Sequence, residues 1–261
     1  MLTLALDTAT RWGRFAVADA DGVLAWRPLN VGGSYADALL PAIEAVLAEA
    51  GCRSDRLEAV AVTAGPGSFT GIRIGVATAK TLAWALGCRL YGVSTLAAMA
   101  ASLLADNPTA ELAVPVLDAR RGEVFAAAYR RGEIWGTALA APAAASPDHW
   151  WSRLIEITGD PDAVVYGGEG AGLLLGQGAA LRPELRERGI PRLRAWTSAH
   201  PATARELALV VARGELEPVD PFRLVPAYLR ASDAELNRNL DCTPVIPDPE
   251  PGDHRSRRDP A

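Results

Sequence analysis

Apolar and polar positions along this chain fall into short segments with two different periods. "LTLALDTA" (Leu2 to Ala9) has the apolar density of a buried strand, and "RFAVADADGVLAW" follows as two short strands around an Asp21-Gly22 turn. In "SYADALLPAIEAVLAEAG" the period changes. Leu39, Leu40, Ile43, Val46 and Leu47 recur at helical spacing, with Ser34 as N-cap and Gly51 closing the end. "LEAVAVTA" then predicts a second buried strand, "GPGSFTG" a loop, and "IRIGVATAKTLAWALG" a helix stopped by Gly87.

A similar order starts again near residue 112. "ELAVPVLDA" reads as a strand ending in Asp118 and "EVFAAAYRRGEIWGTAL" as a hairpin around Arg131-Gly132. "PDHWWSRLIEI" predicts a helix, "AVVYGG" a strand and "GAGLLLGQ" the start of another helix, and Asp118 matches Asp7 in position. Two copies of one pattern predict a duplicated two-lobe α/β fold with mixed sheets, which resembles the architecture of actin, sugar kinases and chaperone ATPases (ASKHA). A single doubly wound sheet is the competing arrangement. The expected division is an N-terminal lobe over 1–105, a C-terminal lobe over 106–241 and a disordered tail over 242–261. "RLVPAYLR" is expected to return as a strand. The tail is rich in Pro and charge, and its "RSRR" reads as a solvated cluster.

Composition narrows the chemistry. With 26 basic and 31 acidic side chains the formal charge is -5, so the chain has no general positive field for a phosphate backbone. Cys52, Cys88 and Cys242 are odd in number and widely spaced, which favours reduced thiols over a disulfide frame or zinc site. His149, His200 and His254 also lack ligand spacing. No apolar run is long enough to cross a bilayer and Met1 leads straight into a strand, so the expected location is the cytoplasm.

The loop "GPGSFTGIRIG" joins a strand to a helix, where backbone N–H groups and the helix dipole can hold an anion. Its spacing fits neither the P-loop nor the dinucleotide fingerprint. The alternative is a structural turn, with Gly65 and Gly67 supplying unusual dihedrals and Ser68 or Thr70 capping the helix. Candidate nucleotide or anion contacts are Asp7, Gly65, Gly67, Ser68, Thr70, Arg73, Asp118, Gly167 and Gly168. Turn capping is the competing role for both aspartates. Gly71, Gly75, Ala79 and Ala83 form a ridge of small residues on the second helix, and Ala38, Ala42 and Ala45 a small face on the first. Together with Ile72 and Val76 they make a candidate docking surface.

"LALDTAT", "GPGSFTGIRIGVATAKTLAWALG", "YGVSTLAAMA" and "LDARRGEVFAAAY", in this order, closely resemble the bacterial TsaB (YeaZ) family over Leu2 to about Tyr129. The resemblance implies a role in placing threonylcarbamoyl on the tRNA adenosine beside the anticodon. It implies a non-catalytic scaffold that pairs through its first two helices with a TsaD-like transferase and works with a TsaE-like ATPase, tRNA being bound through the complex. The transferase carries a metal-binding "NHLEGH" where this chain has "STLAAM", so Thr95 and Met99 stand in place of histidines and no metal is expected. No cofactor of its own is implied, with an adenine nucleotide at the partner interface as the candidate ligand. The competing functions are a small-molecule kinase or ATPase, a metallopeptidase-like enzyme, and a homodimer using the same helices.

Overall fold

In the first sheet the strands alternate large and small apolar residues, and this alternation sets the layers. A computed structural model describes residues 1–30, 35–158, 164–175, 193–194 and 202–230. Strands β1 (Thr3–Asp7), β2 (Trp12–Ala18) and β3 (Val23–Asn30) form an antiparallel meander, and β4 (Ala59–Thr63) and β5 (Arg89–Val93) extend it in parallel to give the order β3-β2-β1-β4-β5. Leu4, Leu6, Phe15, Val17, Val60 and Val62 point to one face. Helices α1 (Tyr35–Glu49) and α2 (Phe69–Leu86) cover it. The other face is alanine: Ala5, Ala16, Ala18, Ala59 and Ala61 meet Leu207, Ala208 and Val211 of a late helix, numbered α6 (Thr203–Ala212). Side chains alternate across a strand, so one sequence pattern produces a thick layer on one side and a close approach on the other.

The second sheet repeats the plan. β6 (Leu112–Arg120), β7 (Glu123–Arg130) and β8 (Ala140–Ala145) are antiparallel neighbours, and β9 (Val164–Gly167) and β10 (Leu193–Arg194) continue in parallel from β6. The order β10-β9-β6-β7-β8 is the first sheet's order written backwards, with corresponding strands in corresponding places. Helices α4 (Pro147–Thr158) and α5 (Ala171–Leu175) pack through Trp150, Leu154, Ala171 and Leu174 on one face. Helix α3 (Thr95–Asp106) packs on the other. This is the expected actin-like duplication, and it rules out a single doubly wound sheet.

Between the two sheets lie α3 and α6, joined by a hydrogen bond from Ala202 N to Ser102 Oγ (3.0 Å). Residues 203–212 thus pack on the first sheet although the chain reaches them only after the second, and Met1 to Arg230 forms one compact unit. Every residue of α3 from Thr95 to Leu104 is buried. A helix apolar all round has no stripe to detect, and neither α3 nor β5 is signalled by periodicity.

Two local expectations fail. The partner of β7 is "AAPAAA", with Val124 opposite Ala145 and Ala128 opposite Ala140, and not "EIWGTAL". The intervening segment is held away from the sheet: Arg131 donates to the carbonyls of Leu104, Asn107 and Ala110 at 2.8–2.9 Å, capping the end of α3, while Trp135 packs inward. "RLVPAYLR" is no strand either. Residues 219–230 run as an irregular strap, pinned by Val219 N to Leu90 O (2.8 Å) and Ala227 N to Ala64 O (2.7 Å). The expected tail at 242–261 and N-cap at Ser34 lie outside the described residues.

Burial raises the pKa of Glu206 on α6, and Asp106 on α3 adds to the effect, while Arg205 and Arg213 oppose it. The folded state therefore binds the proton more readily than the unfolded chain, and stability falls as pH rises from the unfolded pKa through the raised one. Glu206→Gln is expected to raise Tm above that window and to leave it nearly unchanged below pH 4; equal gains at both pH values in thermal melts would contradict this.

Candidate docking face and glycine loop

Asp7 ends β1 with no exposed surface. Its carboxylate lies opposite Arg14 in the β1–β2 register and accepts from Arg14 Nη1 (2.8 Å) and Thr203 Oγ1 (2.6 Å) on one oxygen. The other oxygen accepts from Thr63 Oγ1 (2.9 Å) and Ala9 N (3.1 Å). Both oxygens are engaged by the protein. The carboxylate thus ties β1, β2, β4 and α6 into one joint, and its lone pairs do not point at a ligand space. Asp118, at the matching place in the second sheet, accepts from Arg120 N (2.7 Å) and Arg120 Nη1 (3.3 Å) and so caps the β6–β7 turn.

The glycine loop packs closely against its neighbours at both glycines. Gly65 and Gly67 adopt φ of 122° and 154°, and a β-carbon on either would run into the backbone oxygen of Ala227 or Ala9. Ser68 N donates to Ala9 O (2.6 Å), and Ser68 Oγ accepts from Gly71 N (3.3 Å) as the α2 cap. Thr70 is exposed and does not form that cap. Arg73 turns away from the loop: its guanidinium lies 3.7 Å from the Phe69 ring centre and its Nε donates to Tyr228 Oη (2.7 Å), clamping the strap to α2. The turn reading accounts for these contacts. Lys80, too, reaches the strap, through Leu224 O (3.1 Å).

In the second half, Gly168 (φ 119°) lies against Val116 O and the Met99 methyl, while Gly167 ends β9 beside Pro115. Met99 and Thr95 are 1% exposed. With the Met99 thioether packed on Gly168 and only a neutral hydroxyl at Thr95, these two positions do not form a fitting metal site.

The small residues of α2 face inward, which corrects the expected docking surface. Gly71, Ile72, Gly75, Val76, Ala79 and Ala83 are all buried. A β-carbon at Gly71 would meet Thr8 O, and one at Gly75 would meet the Thr8 side chain, whose hydroxyl donates to Gly71 O (2.8 Å). These residues are small because α2 presses on the turn after β1. On α1, Ala42 is buried and Ala38 and Ala45 are half-buried beside the core stripe. The outward faces carry other residues: Leu40 (55% exposed), Pro41 and Glu44 on α1, and Ala77, Thr81, Trp84 (78% exposed) and Ala85 on α2. Trp84 belonged to no expected site, although a tryptophan one residue off the small ridge was a readable sign.

Asp7→Ala leaves the Arg14 charge buried without its partner, and should cost about 3–5 kcal/mol in urea unfolding. Adding Arg14→Leu should restore part of that loss. A cost near zero for the single variant would show that the carboxylate does not hold the joint.

The family described as "TsaD: tRNA N6-adenosine threonylcarbamoyltransferase" matches residues 26–156. The tRNA threonylcarbamoyladenosine biosynthesis protein TsaB of Bacillus subtilis is 30% identical over 237 residues, covering 90% of this chain and 96% of its own. The protein of that name from Escherichia coli is 32% identical, covering 70% of this chain and 82% of its own. YeaZ from Pseudomonas aeruginosa, a solved structure 28% identical, superposes with a TM-score of 0.68 over 87% of this chain and 99% of that one. With this identity over nearly the full length of its relatives and the same two-sheet fold, the chain belongs to the TsaB (YeaZ) family.

Proposed function

We propose that this chain acts in threonylcarbamoyladenosine formation on tRNA as a non-catalytic scaffold, docking a TsaD-like transferase through the outward faces of α1 and α2. The biosynthetic role rests on the names its relatives carry. The docking face rests on one observation: Trp84, a large aromatic side chain, stands 78% exposed on α2. Exposed tryptophans are uncommon on surfaces that meet only water and are the side chains most often found at the energetic centre of interfaces. Leu40, 55% exposed, adds an apolar position on the adjoining helix.

The non-catalytic part of the proposal is supported by the four hydrogen bonds that saturate Asp7 and by the close packing at Gly65 and Gly67. A carboxylate already neutralised by a buried guanidinium is a poor magnesium ligand. The reading assigns the chain no metal and no cofactor of its own; an adenine nucleotide belongs at the joint with the transferase. A TsaE-like ATPase joins the same assembly, and tRNA is held through the complex, since the net charge of -5 does not favour direct binding. Among the described residues no helix is long and apolar enough to cross a membrane, and the proposed location is the cytoplasm, with its tRNA.

Trp84→Arg and Leu40→Asp are expected to weaken binding to the TsaD-like partner by about tenfold or more without lowering Tm. Gly75→Leu should instead lower Tm, because it collides with Thr8. Sedimentation with and without the partner reads the assembly and detects any homodimer on the same face. Reconstitution with and without this chain reads tRNA modification. Unchanged assembly in both surface variants would reject the face, and full modification without the chain would reject the role.

A further inference from the structure

A cavity of about 430 Å³ opens beside the edge strand β5, between the loop after β7 and the segment after α6. That volume is within the range of small-molecule sites, roughly 300–1,000 Å³. It is separate from the glycine loop and from the joint at Asp7. Ser94 and Ala97, one turn apart, line the cavity, whereas Met99 on the same helix packs against Gly168 and Thr95 N donates to Gly65 O (2.8 Å).

Its walls have one chemical character. Half-buried Trp135 supplies the accessible aromatic surface, and Tyr91 and Tyr129, 2% and 3% exposed, are set into the wall among aliphatic side chains. The lining includes no lysine, arginine or histidine, and Glu217 is its charged member. Two polar groups stand among the apolar ones. Ser94 occupies the N-cap position of α3 yet its side chain caps nothing, its Oγ being turned to the Tyr129 phenol instead. Tyr129 is 3% exposed, and burial pushes its phenol above the ordinary pKa, so it stays protonated and able to donate; the Ser94 hydroxyl opposes this shift.

We propose that this cavity binds a small organic amine, an ammonium group carried on an aromatic or short apolar body. Aromatic faces attract cations and also stack on flat rings. The Glu217 carboxylate gives the ammonium a counter-charge at the rim, and the Ser94 and Tyr129 hydroxyls lie together inside. An anionic ligand finds no positive side chain here and meets a carboxylate instead. The site is independent of the docking face proposed above.

Calorimetry and ligand-observed NMR on the full chain test this with tryptamine, against indole-3-acetate as the same ring bearing the opposite charge. Tryptamine should bind saturably, and indole-3-acetate should not. Glu217→Gln, an exposed substitution that spares the fold, should weaken tryptamine by about fivefold, the upper end for an exposed ion pair. Trp135→Ala should remove binding altogether, with Tm measured alongside. Equal binding of the two probes, no saturable binding of tryptamine, or indifference to Glu217→Gln would each overturn the proposal.

Discussion

The buried carboxylate of Asp7 can remain in the interior only because four donors from three other segments and its own turn converge on it. Arg14 comes from the neighbouring strand, Thr63 from the parallel strand on the other side, and Thr203 from a helix 196 residues away in sequence. A buried ion pair with both carboxylate oxygens engaged contributes little net stability, but losing one partner is expensive. The joint therefore fixes relative position more than it adds energy. It holds α6 on the alanine face of the first sheet, and with α6 in place α3 has a second surface to pack against. The layer between the two sheets rests on that arrangement.

The same requirement for close approach explains the glycines. Where α2 meets the turn after β1, its backbone lies directly on Thr8 and Ala9, and only residues without a β-carbon fit at Gly67, Gly71 and Gly75. A stripe of small residues looks alike in sequence whether it receives a partner protein or the chain's own backbone. Here the chain's own backbone fills it. The exposed side of the helix is the opposite one, where Trp84 emerges.

The strap over residues 219–230 shows how a segment without regular structure can still be specified. Leu224 enters the space left by Gly92, Tyr228 stacks with Phe69 and accepts from Arg73, and Arg230 donates to Ala119 O (3.0 Å). Each of these three residues joins it to a different element. Its path crosses beside the glycine loop, whose Gly65 has no room for a side chain because Ala227 O lies there. The glycine loop is thus flanked by the strap at Gly65 and by the turn after β1 at Gly67.

The sequence by itself determined the duplication, because alternation of period 2 and period 3.6 is written locally and recurs in the second half in the same order. It also determined the C-terminal end of α2, where Gly87 takes the left-handed conformation at φ 64°, while the choice of Ser68 over Thr70 as N-cap came from the structure. Fewer signals pointed to β5, α3 and α6, which are buried on all sides or paired with distant segments, and nothing local marks residues 203–212 as the cover of the first sheet. Which way a small-residue face points, and whether Asp7 meets a ligand or an arginine, were decided by tertiary structure alone. Both depend on what arrives from far along the chain, and local periodicity carries no record of it.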